Sequence, residues 1–385
     1  MTQSPSPDGV QEPWWRHRSE ALLKLMQDRE SAYVYDRESV RTAARRLKSM
    51  ASVGRALYAV KANDNVEVLR LLAEEGLGFE CVSWQEVEYV LEQVPGIGAG
   101  DVLFTPNFAP REEYSAALDR GVRLTIDNAW AVHQWPELFA GRDVFLRIDL
   151  EAGYGHHRKV VTAGSDSKFG ISRADIEGVV EVLSGQGARV TGLHSHTGSG
   201  VNEVTAWREQ LERFIEILPL FPDVRVLDLG GGLGVPDRPG KPSFDLGRLD
   251  GVLRETIGER DIELWLEPGR YLVAESGVLL SRVTQLKTKG QHRYLGIATG
   301  MNSLIRPALY GAYHEIVNLS RLQEEATVDY RVVGPICESG DVLGESRLLP
   351  GSAEGDIVLV ANAGAYGHVM ASNYNRRQPA EELVI

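Results

Sequence analysis

Between Arg55 and Pro268, short apolar runs alternate with longer amphipathic ones. The apolar runs are RALYAV, LGFECV, DVLFT, VRLTI, VFLRIDL, RVTGLHSH, VRVLDLG and IELWLEP. Each has strand length and carries β-branched or aromatic residues. Between most of them lie segments such as VEVLRLLAEEG, WQEVEYVLEQV, REEYSAALDRG and WREQLERFIEILPL, whose apolar residues recur at helical spacing. Strands alternating with helices imply a parallel sheet. Eight of them predict an α/β fold built on a closed (β/α)8 barrel over residues 37–277.

After Gly277 the texture changes. GVLLSRVTQLKTK, QHRYLGIA, TVDYRVVGP and DIVLVANA read as strands with no long helix between them, so residues 278–385 are expected to form a second, mostly β domain. The short run SAYVYD, residues 31–36, is assigned to that domain ahead of the barrel. Residues 1–30 are expected to be a Ser/Pro-rich flexible leader of about fifteen residues and then a helix, RHRSEALLKLMQDRE.

Charge and cysteines narrow the function. Lys and Arg number 41 against 54 Asp and Glu, a net charge of -13, which argues against a broad nucleic-acid face but leaves room for a few arginines in a pocket. Cys81 and Cys337 are too few for a disulfide framework and form no CxxC pair, so a reducing cytoplasm fits and no metal is expected. The start, MTQSPSPDGVQEPWW, lacks the basic-then-apolar order of a signal peptide, and no apolar run reaches about 18 residues. No membrane partner is expected.

Four segments carry candidate chemistry. Lys61, in LYAVKAN, ends the first barrel strand, where such barrels place reacting groups; it reads as a Schiff-base lysine or as a strand-end lysine reaching solvent. LDLGGGLG, with Gly230, Gly231 and Gly232, ends the seventh strand and reads as an anion cradle or as a plain turn. LEPGRY follows the eighth strand with Glu267, Gly269 and Arg270: a carboxylate suits a pyridine nitrogen and an arginine suits a phosphate, though the two could also pair with each other. GLHSHTGSG brings His194, His196 and Ser199 to a strand end; one imidazole could stack on an aromatic cofactor while Ser199 binds phosphate. A zinc reading of the His-x-His pair needs further ligands, and none is obvious nearby. His156 and His157, in GYGHHRK, read as loop residues.

Lysine, histidine, glycine loop and acid occur in the order of a pyridoxal-phosphate (PLP) site. From about Ala32 onward the chain resembles the barrel-type PLP-dependent decarboxylases that act on ornithine, arginine and diaminopimelate. The resemblance implies PLP as cofactor, held by Lys61, with His196 on the ring, Glu267 at its nitrogen, and Ser199, Gly230–Gly232, Gly269, Arg270 and Tyr366 around it. GPICESGD resembles the family's cysteine-acid segment, which implies that Cys337 returns the proton and that Cys337 and Glu338 enter a partner subunit's site in a homodimer. Lys168 and Asp341 are then expected as partners across that interface. AGAYGHVMASNYNRRQPAE resembles the closing motif that supplies Tyr366.

GMNSLIRPALYGAYHEI and SKFGI resemble the diaminopimelate-acting branch. The implied reaction is decarboxylation of meso-2,6-diaminopimelate to L-lysine and CO2. Arg306 and Tyr310 would hold the distal carboxylate and Glu338 the distal ammonium, with Arg270 and Tyr366 also facing substrate. An ornithine- or lysine-type decarboxylase is the alternative. Three features depart from the family pattern: IATG over 297–300 in place of an aspartate-containing turn, Gln85 in place of a glycine, and a chain that stops at EELVI. The last, with the leader, would suit a domain of a fusion with aspartate kinase as well as a separate enzyme.

Overall fold

The computed structural model describes residues 12–150, 167–196 and 198–385. They fall into two compact units: residues up to Val40, Val235–Ser243 and Leu272–Ile385 form one, and Arg41–Gly234 with Phe244–Tyr271 form the other. The first strand, β1 (Ser31–Tyr35), belongs to the first unit.

The second unit is the barrel. Its strands are β2 (Val53–Ala59), β3 (Gly78–Cys81), β4 (Val102–Phe104), β5 (Arg123–Ile126), β6 (Asp143–Arg147), β7 (Arg189–His194), β8 (Val226–Asp228) and β9 (Glu263–Leu266). Each pairs in parallel with the next, and β9 pairs back with β2, which closes the cylinder. Strands so enclosed are buried on both faces and therefore read as near-continuous apolar runs. Helices begin where the sequence supplies caps: Asn65 accepts from the Glu67 and Val68 amides, Ser83 from Glu86 and Asp245 from Arg248. Gln85 is exposed on the first turn of the Ser83-capped helix, so its departure from a glycine disturbs no packing.

Side chains alternate along each strand, and two inward layers follow. Leu57, Leu103, Phe145 and Trp265 make an apolar plug, with the Phe145 and Trp265 ring centroids 5.4 Å apart. Gly78 and Gly192 make room for it: a Cβ on Gly78 would meet Leu57 at 2.6 Å, and one on Gly192 would meet the Phe145 ring at 2.6 Å. Two residues further along the same strands the layer turns polar: Glu80, Thr105, Arg147, His194, Asp228 and Glu267, all buried.

The other unit is mostly β. Beyond β1 it contains β10 (Gly277–Lys289), β11 (His292–Ile297), β12 (Ile316–Asn318), β13 (Val328–Val333), β14 (Val342–Leu349), β15 (Ile357–Val360) and β16 (Glu381–Val384). The strand order is β12-β15-β10-β11-β13-β14, with β1 antiparallel to β10 and parallel to β16. The long β10 pairs through its first half with β1 and β15, and beyond an irregularity at Val283–Gln285 with β11. Its core gathers Ala32, Val34, Val278, Leu280 and Leu359 under Trp15, Leu22 and Met26. A helix spans Trp14–His17, and Trp15 is 2 % exposed because burying an indole stabilises the segment more than leaving it in water.

Candidate active site

The polar layer of the barrel unit brings together residues that lie far apart in sequence. Lys61 sits in a single helical turn, Val60–Ala62, just past β2. Its Nζ lies 2.6 Å from Glu80 Oε2, and Glu80 is 1 % exposed while the lysine side chain is 40 % exposed. Thr105 Oγ1 donates to the other Glu80 oxygen. Gly269 closes this corner: a Cβ there would meet the Cβ of Ala62 at 2.9 Å and that of Ala59 at 3.2 Å. No side chain fits between the turn that carries Lys61 and the end of β9.

Opposite lies a buried acid pair. His194 Nε2 is 3.1 Å from Glu267 Oε2. Asp228 Oδ1 accepts the Gly230 amide at 2.9 Å. Asp228 Oδ2 and Glu267 Oε1 have no hydrogen-bond partner, and the ligand-type atoms of His194, Asp228 and Glu267 lie within 4.8 Å of one another. Two carboxylates this close cannot both ionise cheaply. Burial first and the Glu267 charge second push the Asp228 carboxyl well above the usual range. Burial acts on Glu267 in the same direction, but His194, through charge and hydrogen bond, with Lys61 and His196, brings it down to about 2. The floor of the site thus holds one neutral acid and one carboxylate.

His196 lies over the glycine loop. Its Nδ1 accepts the Gly231 amide at 3.2 Å, and burial, then the Arg147 and Lys61 charges, lower its pKa to about 3. The ring is therefore neutral. Gly230 and Gly232 adopt φ of 68° and 98°, and Gly198 and Gly200 φ of 141° and 71°, so two left-handed turns face each other. Arg270 Nη2 donates to Ser199 Oγ at 3.3 Å beside them. The amides of Gly230 and Gly231 are turned to Asp228 and His196, which leaves Gly232 as the amide of that trio able to face an anion.

Arg147, Asp127 and the SKFGI segment complete the wall. Arg147 Nη1 is 3.5 Å from Asp127 Oδ1, and its guanidinium lies 4.4 Å from the Phe169 ring centroid. Lys168 Nζ lies 5.1 Å from that same ring. His156, His157 and the Gly153–Gly164 loop lie outside the described residues.

The remaining predicted residues belong to the β unit. Cys337, an exposed free thiol, and Glu338 share one loop: Asn375 Oδ1 accepts the Cys337 amide at 2.7 Å, and Tyr374 Oη donates to Glu338 at 2.8 Å. Arg306 and Tyr310 begin and end one helical turn, with Arg306 buried. Tyr366 takes a φ of 56°, in a turn between β15 and β16. Asp341 braces its own chain: its two oxygens accept the Met301 amide at 2.6 Å and the Ile336 amide at 2.7 Å. This carboxylate also answers the IATG departure, because it braces the Gly300–Met301 turn from another loop.

Sequence reasoning missed Glu80, Asp228, Arg147 and Asp127. A signal was present. Each is a charged residue at the C-terminal end of an apolar strand run, and for Glu80, Arg147 and Asp228 it comes two positions after an inward-facing one.

A family model described as pyridoxal-dependent decarboxylase, pyridoxal binding domain, matches residues 37–274. The chain belongs to this family. It is 34% identical over 370 residues to a diaminopimelate decarboxylase of Methanothermobacter thermautotrophicus, covering 91% of this chain and 86% of the relative. It is 36% identical over 368 residues to one of Pseudomonas fluorescens, covering 92% and 87%. A crystal structure of diaminopimelate decarboxylase from Helicobacter pylori complexed with L-lysine superposes with a TM-score of 0.86 at 26% identity, covering 95% of this chain and 93% of that one.

This family member is a PLP-dependent decarboxylase, and its barrel suits the cofactor. Glu267, buried and held as a carboxylate, suits a protonated ring nitrogen. The paired left-handed glycine turns beside Ser199 and Arg270 suit a phosphate. Among the described residues, no helix is long and apolar enough to cross a membrane.

Proposed function

We propose that the chain decarboxylates meso-2,6-diaminopimelate to L-lysine and CO2, a step of lysine biosynthesis, as a cytoplasmic homodimer. The observation that carries this reading is near-full-length identity to diaminopimelate decarboxylases, joined to a barrel site whose charges match the cofactor. In the division of labour, the barrel over 37–277 holds the cofactor, and residues 278–385 bring the groups that recognise substrate.

Lys61 is the amine that would hold the cofactor, and Glu80 Oε2, 2.6 Å from its Nζ, fixes the position of that amine. Glu267, ionised, would keep the cofactor's ring nitrogen protonated, and His196, neutral, would pack against the ring. Ser199, the Gly232 amide, Arg270 and Tyr366 bind the phosphate, and Gly269 keeps the Lys61 turn close. Bound there, PLP supplies an electron sink for the pair left when CO2 departs. Cys337 Sγ holds the proton that replaces CO2 on the α-carbon. Glu338 pairs with the distal ammonium, and Arg306 with Tyr310 binds the distal carboxylate; Arg270 and Tyr366 also border the substrate. Cys337 and Glu338 act in the partner subunit's site.

The test is incubation of purified protein with PLP and meso-diaminopimelate, with CO2 and lysine measured, beside parallel reactions with ornithine and lysine. Release of CO2 from ornithine or lysine at the higher kcat/KM would replace this reading by a diamine-forming decarboxylase.

A further inference from the structure

No step of the reaction above uses His314, yet it is 1 % exposed and makes two directed contacts. Its Nδ1 lies 2.8 Å from the Ala361 carbonyl oxygen, and its Nε2 lies 3.2 Å from Arg306 Nη1. A carbonyl oxygen can only accept, so Nδ1 carries a hydrogen. A guanidinium can only donate, so Nε2 must present a lone pair. The two contacts together require a neutral ring in one tautomer. Ala361 is itself fixed, because it follows β15 and its amide donates to the Glu315 carbonyl at 2.9 Å. The imidazole is thus clamped to a sheet that pairs on both sides, with β10 and β12.

We propose that His314 is a positioning residue that aims Arg306 at the distal carboxylate of the substrate. The proposal rests on the reading of Arg306 given above. Arg306 opens a turn that ends at Gly311 in the left-handed conformation, φ 63°, and the chain then doubles back to bring His314 alongside. A carboxylate in the place of His314 would hold the arginine and cancel its charge. A neutral imidazole accepts one N–H in a fixed direction and adds no negative charge, so the guanidinium keeps its positive charge for an anionic ligand.

The test compares holoenzymes of His314→Asn, His314→Gln, Arg306→Ala and the double variant Arg306→Ala/His314→Asn. The asparagine amide can keep the Ala361 contact but has no atom where Nε2 stood. The glutamine oxygen reaches that position and can accept from Arg306. His314→Asn should raise KM for diaminopimelate about tenfold with kcat within about twofold, and His314→Gln should stay within about threefold of wild type. In the Arg306→Ala background, His314→Asn should add nothing to KM. An equal rise in both backgrounds, or a loss confined to kcat, would overturn the proposal, since a merely structural histidine acts whether or not Arg306 is present. If His314→Asn does not fold, His314→Gln decides alone: a KM near wild type supports the proposal and a tenfold rise overturns it. Failure of the parent reading looks different, because Arg306→Ala would then leave KM for diaminopimelate unchanged.

Discussion

Replacing Asp228 by asparagine should stabilise the cofactor-free protein, and the gain should depend on pH. The buried Asp228 carboxyl faces the Glu267 carboxylate, and its pKa lies well above the usual 3.8. Folded protein therefore binds a proton here more tightly than the unfolded chain does. The associated stability is complete below pH 3.8 and is lost as pH rises toward the folded-state value. Asparagine has the shape of the protonated acid: its Oδ1 can accept the Gly230 amide, now 2.9 Å from Asp228 Oδ1, and its NH2 can donate toward Glu267. It has no proton to take up. The difference between variant and wild type should thus grow by about 1.4 kcal/mol per pH unit from near pH 4 until the folded-state pKa is passed, and then level off. Denaturant unfolding of both apoproteins at a series of pH values measures it. Asp228→Ala is the control: it also lacks the titrating group, so its difference from wild type should follow the same pH dependence, shifted by about 1–3 kcal/mol toward instability because it strands the Gly230 amide. A destabilised Asp228→Asn at neutral pH, or a difference that does not vary with pH, would refute the reasoning, since either result means that Asp228 is folded as a carboxylate. Glu267 has the opposite sign: held at about 2, it contributes stability above its ordinary 4.5 that is lost as pH falls through 2.

Borohydride treatment of the holoenzyme should fix the cofactor to Lys61, read by peptide mass spectrometry; a label on Lys168 would reject the assignment. Gly232→Ala puts a Cβ against the Gly198 carbonyl at a φ of 98°, a strain of about 1–3 kcal/mol, so PLP binding measured by fluorescence should weaken at least about tenfold. Unchanged affinity would remove that loop from the phosphate site. Mixing inactive Lys61→Ala and Cys337→Ala proteins should restore up to about a quarter of wild-type activity, because half of randomly paired dimers are hybrids with one intact site of two. No recovery after demonstrated subunit exchange would place each site within one chain.

Much of the barrel is legible in sequence because each of its eight strands is enclosed on both faces, so burial alone writes it as an apolar run bounded by polar helices. The same logic reads β10, β11, β13 and β15 and fails for β12, β14 and β16. Those are three residues long, exposed through the middle, or partly exposed throughout, so their pairing partners rather than their own composition make them strands. Lys61, His196, the glycine loop and Glu267 announce themselves as chemically unusual residues at strand ends. Sequence alone determined the fold class and the family, since both depend on local patterns and on their order. Only the tertiary structure decided that Glu80 meets Lys61, that Asp228 and Glu267 share one buried corner with His194, that two of three loop amides turn inward, and that His314 grips Arg306. All but the Gly230–Asp228 contact are charge or hydrogen-bond relations between residues 8 to 73 positions apart, and their energies depend on distances and burial that the chain acquires only when the barrel and the β sheet close.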